Sequence, residues 1–158
     1  MALKTGQKTT ETLLASLKTA FDKGIMRIYS GPRPASCNDA ETGTLLCTIT
    51  KDGAAYTEVD GTNGLEFNAP ATTAGVSELL KKTGDVWADL AADGTGQAAW
   101  YRFFPLGAGK TGASTTVPRV DGSVGTTSSY DLQMLNLTVN VGEPVYIQNF
   151  KWTMPNGE

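Results

Sequence analysis

The chain has 158 residues and a mass of 16.7 kDa, which is enough for one domain that buries roughly two-thirds of its unfolded surface. Its 40% hydrophobic and 18% charged residues are typical of a folded protein with a weakly charged surface. The net charge of -3 argues against binding nucleic acid by phosphate neutralisation, and no apolar run approaches the roughly 18 residues of a membrane helix, so we expect neither partner.

The first nine residues differ from the rest of the chain. Residues 1–9 are polar, rich in Lys and Thr, and show no periodic apolar positions. We therefore predict an N-terminal arm that lies on a partner, with Lys4 and Lys8 as its positive charges. The start also lacks the apolar core of a signal peptide, which predicts synthesis in a cytoplasm.

A single amphipathic helix is predicted over residues 10–23, at the start of one domain that spans residues 10–158. Its apolar residues recur with helical spacing and form one stripe, made of Leu13, Leu14, Leu17, Ala20 and Phe21. Thr9 or Thr10 is expected to cap the N-terminus, with Glu11 at the favourable end of the helix dipole. Gly24 is expected to end the helix in a left-handed conformation.

Alternation with a period of two replaces the helical spacing after Gly24 and predicts a mainly β domain. In two of the predicted strands one face is clear: Leu135, Leu137, Val139 and Val141 alternate with polar residues, and Tyr146, Phe150, Trp152 and Met154 share a face. The predicted strands cover residues 25–30, 45–50, 97–104, 135–141 and 145–154, with weaker candidates at 55–59 and 65–68.

Glycine-rich segments separate these runs and predict turns. They read KDG, DGTNG, ADGTG, GAGKTG, VDGSVG and NVGEP. Residues 76–85 fit either a helix or two strands joined by a hairpin turn at 82–85, and the second interpretation is favoured. Short strands with such turns predict a β-sandwich, of jelly-roll type, that carries one short N-terminal helix.

Two cysteines, Cys37 and Cys47, lie near the turn at Gly43. In a reducing compartment we expect two free thiols that are mostly buried, although a disulfide is open if the Cβ atoms come within roughly 4.5 Å. A zinc site is not expected, because the chain has no His and two thiolates do not fill four ligand positions.

Catalytic motifs fit the chain poorly, so we expect no enzymatic activity, no catalytic residues and no cofactor. The segment GAGKTGAS from Gly107 has the GK[ST] end of a P-loop, but Phe104 stands where the first glycine belongs. The absence of His excludes a Ser-His-Asp arrangement. Paired carboxylates remain open among residues placed in turns or at strand ends, namely Asp85, Asp89, Asp93, Asp121 and Asp131.

Four segments together carry a family resemblance. MRIYSGPRPASCNDAETGTLLCTIT, AAWYRFF, VPRVDGSVGT and LTVNVGEPVYIQNFKWTMP occur in an order and spacing that resembles a group of small virion proteins of tailed bacteriophages. The resemblance runs from end to end, from a short N-terminal helix to a closing V-x-I-x-x-F strand. It departs from the commoner pattern at SELLKK, and it supplies no catalytic residue.

The resemblance implies a virion structural protein that is similar to head decoration, or cement, proteins. Such a protein would bind the outer surface of the head, with the major capsid protein lattice and further copies of itself, as a homotrimer, as its partners. The alternative is a tail- or fibre-associated module that binds a host glycan, with Trp87, Trp100 or Tyr101 stacked on sugar rings. In that alternative, core packing remains the commoner use of each aromatic residue.

Overall fold

A computed structural model describes residues 5–107 and 111–155 of the chain. Helix α1 covers Gln7–Phe21 and begins after an N-cap at Gly6. The predicted arm of residues 1–9 is therefore wrong at its boundary, because residues 7–9 form the first turn of the helix. Neither Thr9 nor Thr10 is the cap, and Glu11 lies beyond the first turn.

The C-terminal end of α1 also differs from the prediction. Lys23, rather than Gly24, has the positive φ of 63°, and the helix ends at Phe21 instead of residue 23. The predicted apolar stripe is confirmed at Leu14 and Phe21, which are buried, whereas Leu13 is 45% exposed. The stripe that faces the core is thus narrower than the spacing suggested.

Twelve strands follow the helix within the described residues, and they confirm the mainly β prediction. They are β1 Ile25–Tyr29, β2 Leu45–Lys51, β3 Ala71–Thr73, β4 Val76–Leu80, β5 Trp87–Asp89, β6 Gly96–Gln97, β7 Trp100–Phe104, β8 Val120–Gly125, β9 Leu132–Gln133, β10 Thr138–Val139, β11 Val145–Ile147 and β12 Asn149–Pro155.

Ten of these strands form one sheet in the order β11-β5-β2-β1-β7-β8-β9-β12-β4-β3, and β10 pairs with β6 separately. All pairs are antiparallel except β8 with β9. Trp87 on β5 and Phe150 on β12 lie far apart in this order, yet their ring centroids are 5.4 Å apart. The sheet therefore curls until its two halves face each other, which gives the sandwich-like fold.

One hydrophobic core fills the space between the two halves, and aromatic rings dominate it. Phe103 on β7 lies against Phe21 of α1, with ring centroids 5.7 Å apart. Buried hydroxyl groups fix the helix on the sheet, because Thr10 and Ser77 are hydrogen-bonded at 2.6 Å and Ser77 in turn contacts Thr72 at 2.8 Å. Each buried hydroxyl thus finds the partner that its burial requires.

Several predicted strands are wrong or incomplete. Residues 55–59 form a loop, residues 65–68 make only isolated bridges, and only Thr138–Val139 of the predicted strand 135–141 is a strand. Gln148 breaks the predicted last strand into β11 and β12. The side-chain alternation reverses at this break, so Tyr146 is 53% exposed instead of sharing a face with Phe150.

Residues 76–85 form a strand, β4, followed by a turn that leads to β5, so the favoured strand and turn are confirmed but the predicted hairpin is wrong. The two strands do not pair with each other, since β4 pairs with β3 and β12 while β5 pairs with β2 and β11. The turn therefore carries the chain from one half of the curled sheet to the other.

The segment VDGSVG is strand β8 rather than the predicted turn. A Cβ at Gly122 would lie 2.4 Å from Cε1 of Tyr101, and a Cβ at Gly125 would lie 2.1 Å from Cδ2 of Tyr130. Both glycines therefore leave room for tyrosine rings, which is a recognised use of glycine within a strand.

Candidate interaction surface

The residues that suggested chemistry in the sequence serve structural purposes. Asp85 pairs with Lys51 at 3.1 Å, and Asp131 accepts hydrogen bonds from the backbone and hydroxyl of Ser123 at 2.7 and 2.9 Å. Asp89 and Asp93 both bind Thr48, at its N–H and its hydroxyl, each at 2.8 Å. Each of these carboxylates thus accepts hydrogen bonds from a nearby backbone N–H or hydroxyl group, or forms an ion pair with a lysine.

Asp121, the remaining carboxylate candidate, belongs to a buried ion cluster. Arg102 on β7 is fully buried, and its Nε and Nη2 donate to the two oxygens of Asp121 at 2.6 and 2.7 Å. Its Nη1 donates to Glu41 at 3.1 Å and to the carbonyl of Asp39 at 2.9 Å. Glu41 also accepts the N–H of Gly112 at 2.9 Å. The cluster therefore fixes the 31–44 loop and the 111–119 loop on the outer face of the sheet.

The aromatic residues proposed for sugar stacking do not reach solvent. Trp87 is 0% exposed, and Trp100 and Tyr101 are each 1% exposed. Trp100 stacks on Tyr29 with centroids 4.5 Å apart, beneath the loops that Arg102 holds. The glycan-binding alternative is therefore wrong in its choice of residues.

The remaining sequence motifs are the two cysteines and the GAGKTGAS segment. Cys37 and Cys47 are both free; Cys47 is buried and burial raises its pKa to about 12, while Cys37 is half-buried. Residues 108–110 of the GAGKTGAS segment lie outside the described residues. Within the described ranges, His, Cys, Asp and Glu form no group of three that could hold a metal ion. The described helix is not long and apolar enough to cross a membrane.

A surface at one end of the sheet has the composition of an interface. The run from Met134 to Asn149 carries one charged residue, Glu143, in a chain whose residues are 18% charged. Leu135 is 80% exposed, Val141 is 63% exposed and Tyr146 is 53% exposed. We call this region the edge surface and define it by Leu135, Asn136, Asn140, Val141, Pro144, Tyr146 and Gln148.

Leu135 and Tyr146 line one groove of about 250 Å³ on the edge surface, together with amide side chains. Tyr146 lies on β11, the terminal strand of the ten-stranded sheet, whose only strand neighbour among the described residues is β5. An unpaired strand edge with exposed apolar side chains favours association with another chain.

Backbone hydrogen bonds hold the edge surface in place. Gly142 donates to the carbonyl of Ala92 at 2.9 Å, and Ala92 donates back to the carbonyl of Glu143 at 3.0 Å. Asn140 donates through Nδ2 to Glu143 at 2.9 Å, so the one charge of the segment is engaged locally. These bonds tie residues 140–143 to the backbone at Ala92, which reduces the backbone entropy that this part of the edge surface loses when it binds a partner.

The sequence shows the low charge of this segment but not its exposure. The alternation of Leu135, Leu137, Val139 and Val141 predicts one buried face, whereas only Val139 is fully buried and Leu137 packs partly against the core. The low charge of the segment is therefore the signal that the sequence offers for an interface, and the apolar alternation pointed to a buried strand instead.

Comparisons of the chain with protein-family models, with curated proteins and with solved structures find no match. A function has to be inferred from the surface and chemistry of the chain itself.

Proposed function

We propose that this protein is a non-enzymatic structural protein of a tailed-bacteriophage virion that decorates the outer surface of the assembled head. The order of the four sequence segments described above supports the virion setting. The observation that carries the attachment is the edge surface, which is nearly uncharged, exposes apolar side chains beside amides, and lies at the terminal strand of the described sheet. Depletion of charge and an exposed tyrosine are characteristic of interface cores.

The partner in this proposal is the lattice of the major capsid protein, with attachment across neighbouring capsomers. Leu135 and Tyr146 enter apolar depressions of the lattice, and the amides of Asn136, Asn140 and Gln148 bond to backbone at the rim. A self-associated form, most simply a trimer, places several edge surfaces on one lattice and multiplies a weak single contact through avidity.

The N-terminal arm has a smaller part in this scheme than its sequence suggests. Lys8 belongs to α1, where its Nζ lies 4.0 Å from Glu11. Deletion of residues 2–9 would therefore remove a helical turn, and a deletion that spares the helix has to stop at residue 5.

Co-sedimentation of the purified protein with capsids that lack it tests the proposal. Tyr146→Asp places a charge in the proposed interface and is expected to weaken attachment by about 2 kcal/mol, or roughly 30-fold. Val59→Asp is the matched control, because Val59 is 92% exposed, apolar and outside the edge surface. Light scattering of the free protein reports its oligomeric state.

The salt dependence of attachment distinguishes a contribution of the edge surface from a contribution of the lysines in the arm. Attachment through an uncharged surface changes little between low and high salt, whereas a contribution from lysines fades as the screening length falls below about 10 Å at 0.1 M. Equal occupancy for Tyr146→Asp and Val59→Asp would rule out the edge surface. Failure of the unmodified protein to bind at all would rule out decoration of the head.

A further inference from the structure

A cleft runs beside β12, and Tyr130 stands in its wall. Two adjoining grooves of about 590 and 440 Å³ form it and share Ser128, Tyr130, Asp131 and Lys151. The larger groove falls within the roughly 300–1,000 Å³ of small-molecule sites. Neither groove shares a lining residue with the groove on the edge surface. We call this feature the Tyr130 cleft.

The ring of Tyr130 is a fixed platform. Its Cδ2, Cγ and Cε2 lie 2.1, 2.3 and 2.4 Å from the place where a Cβ at Gly125 would stand. Three consecutive ring atoms so close to one point place the ring face, rather than its edge, on the glycine backbone. The residue is nevertheless 46% exposed. One face of the ring is thus covered by the backbone of Gly125, and the exposed part of the side chain lines the cleft.

Polar side chains surround this platform on the larger groove. Amides come from Asn68, Gln133 and Asn149, and charged groups come from Lys81, Lys82, Lys151 and Asp131. The lining therefore holds three ammonium groups and one carboxylate, although the chain as a whole carries a net charge of -3.

Two of the three lysines already have acidic partners. Lys82 lies 2.7 Å from Glu66, and Lys151 lies 3.0 Å from Glu78. Lys81 donates to the backbone carbonyl of Asp85 at 2.9 Å and is attracted by the Asp85 carboxylate, but among the described residues it forms no direct ion pair. Lys81 is therefore the lysine of this groove whose ammonium group is not held by a carboxylate contact, and it lies on the side formed by residues 81–84.

We propose that the Tyr130 cleft binds a saccharide that bears a carboxylate. A sugar ring has an apolar face of C–H groups and a polar rim, which matches an aromatic platform bordered by amides. The ring stacks on the exposed part of Tyr130, its hydroxyls bond to Gln133 and Asn149, and its carboxylate pairs with Lys81. The charge on the lining disfavours a purely apolar ligand, and the single platform suits one sugar ring better than a run of stacked bases.

Nuclear magnetic resonance titration of the full ¹⁵N-labelled chain tests this inference. The probes are trigalacturonate, its fully methyl-esterified form and sialyllactose, each raised to about 10 mM. At least one of the two acidic probes is expected to shift amide signals of residues 81–84, 128–133 and 149–151. The methyl ester of trigalacturonate, which keeps the sugar rings but replaces each carboxylate by an uncharged ester, is expected to bind at least fivefold more weakly than the free acid if that acid binds.

Substitutions of Tyr130 distinguish a loss of ring stacking from a loss of folding as the cause of weaker binding. Tyr130→Ala is expected to weaken binding at least tenfold, whereas Tyr130→Phe keeps the ring and binds within about twofold of the unmodified chain. Tyr146→Ala is the matched control, since Tyr146 is an exposed tyrosine outside the cleft. Melting curves of each variant verify that the domain is folded.

Three results would overturn the inference. One is the absence of shifts at the cleft with both acidic probes. Another is binding that Tyr130→Ala leaves unchanged, and the last is equal binding of trigalacturonate and its ester, which removes the carboxylate from recognition. Capsid attachment is not measured in this titration, so the inference and the proposed function fail separately.

Discussion

Replacement of Arg102 by Met is expected to be the most damaging single change to a charged residue of this domain. Arg102 is fully buried, and its two main partners are nearly so, since the side chain of Asp121 is 3% exposed and that of Glu41 is 13% exposed. Methionine fills a similar volume but leaves both carboxylates without their cation.

The loss of stability expected for Arg102→Met follows from the burial of Arg102 and its two carboxylate partners. Removing one partner of a buried ion pair typically costs about 3–5 kcal/mol, because the other charge stays desolvated. Such a loss is a large part of the roughly 5–15 kcal/mol by which domains are stable. Lys151→Met is the matched control: Lys151 pairs with Glu78 at 3.0 Å but is 58% exposed, so its removal is expected to cost less than about 1 kcal/mol.

Urea titrations of Arg102→Met, Asp121→Leu and the double variant measure the effect. The double variant removes both charges, so its loss is expected to be smaller than the sum of the two single losses by about 1–3 kcal/mol. Hydrogen exchange at the Gly112 amide, which donates to Glu41, is expected to accelerate in Arg102→Met. A loss in Arg102→Met no larger than that in Lys151→Met would refute the role of the cluster in stability.

Three further expectations concern the core. Trp152→Ala is expected to lower the free energy of unfolding by about 3 kcal/mol in a denaturant titration, because its ring packs on Phe67 with centroids 5.1 Å apart; a loss under 1 kcal/mol would contradict that packing. A thiol reagent at pH 8 is expected to label Cys37 in the native protein and Cys47 only after unfolding, so rapid labelling of both would show that Cys47 is accessible. Burial raises the pKa of Cys47 from 9.0 to about 12 and that of Tyr29 from 10.0 to about 12, so both keep their protons in the folded chain after the unfolded chain has lost them. Stability is therefore expected to fall as pH rises from about 9 towards 12, and a flat profile in urea titrations across that range would argue against the burial of both groups.

The parts of the fold that depend on residues close together in the sequence were predictable. Helix α1 and strands β1 and β2 have periodic apolar positions that a local pattern can show. The outcome for VDGSVG depended on residues outside the segment, because Gly122 makes room for the ring of Tyr101 on β7 and Gly125 for the ring of Tyr130. Turn statistics cannot distinguish a glycine that bends the chain from one that accommodates a neighbour's side chain.

The candidate surface was predictable in composition but not in position. The low charge of residues 134–149 is visible in the sequence, and it is the feature that now supports an interface. The exposure of Tyr146 depends on the break at Gln148, which has no periodic signature, and the exposure of Leu135 goes against the alternation of its own segment. Tyr130 likewise gains its role from Gly125, five residues away in sequence and on a strand that was predicted as a turn.

The position of Gln148 has a consequence for how the chain folds while it is being synthesised. This one residue joins β11, beside β5 at one end of the sheet order, to β12, which lies between β9 and β4 near the other end. Both halves of the sheet therefore lack a strand until residues 145–155 have left the ribosome. Strand pairing over such sequence distances is slow, since loop closure comes before most of the favourable contacts. The nascent chain consequently carries exposed apolar strands until residues 145–155 are available, and we expect it to depend on chaperones and to aggregate when these residues are removed.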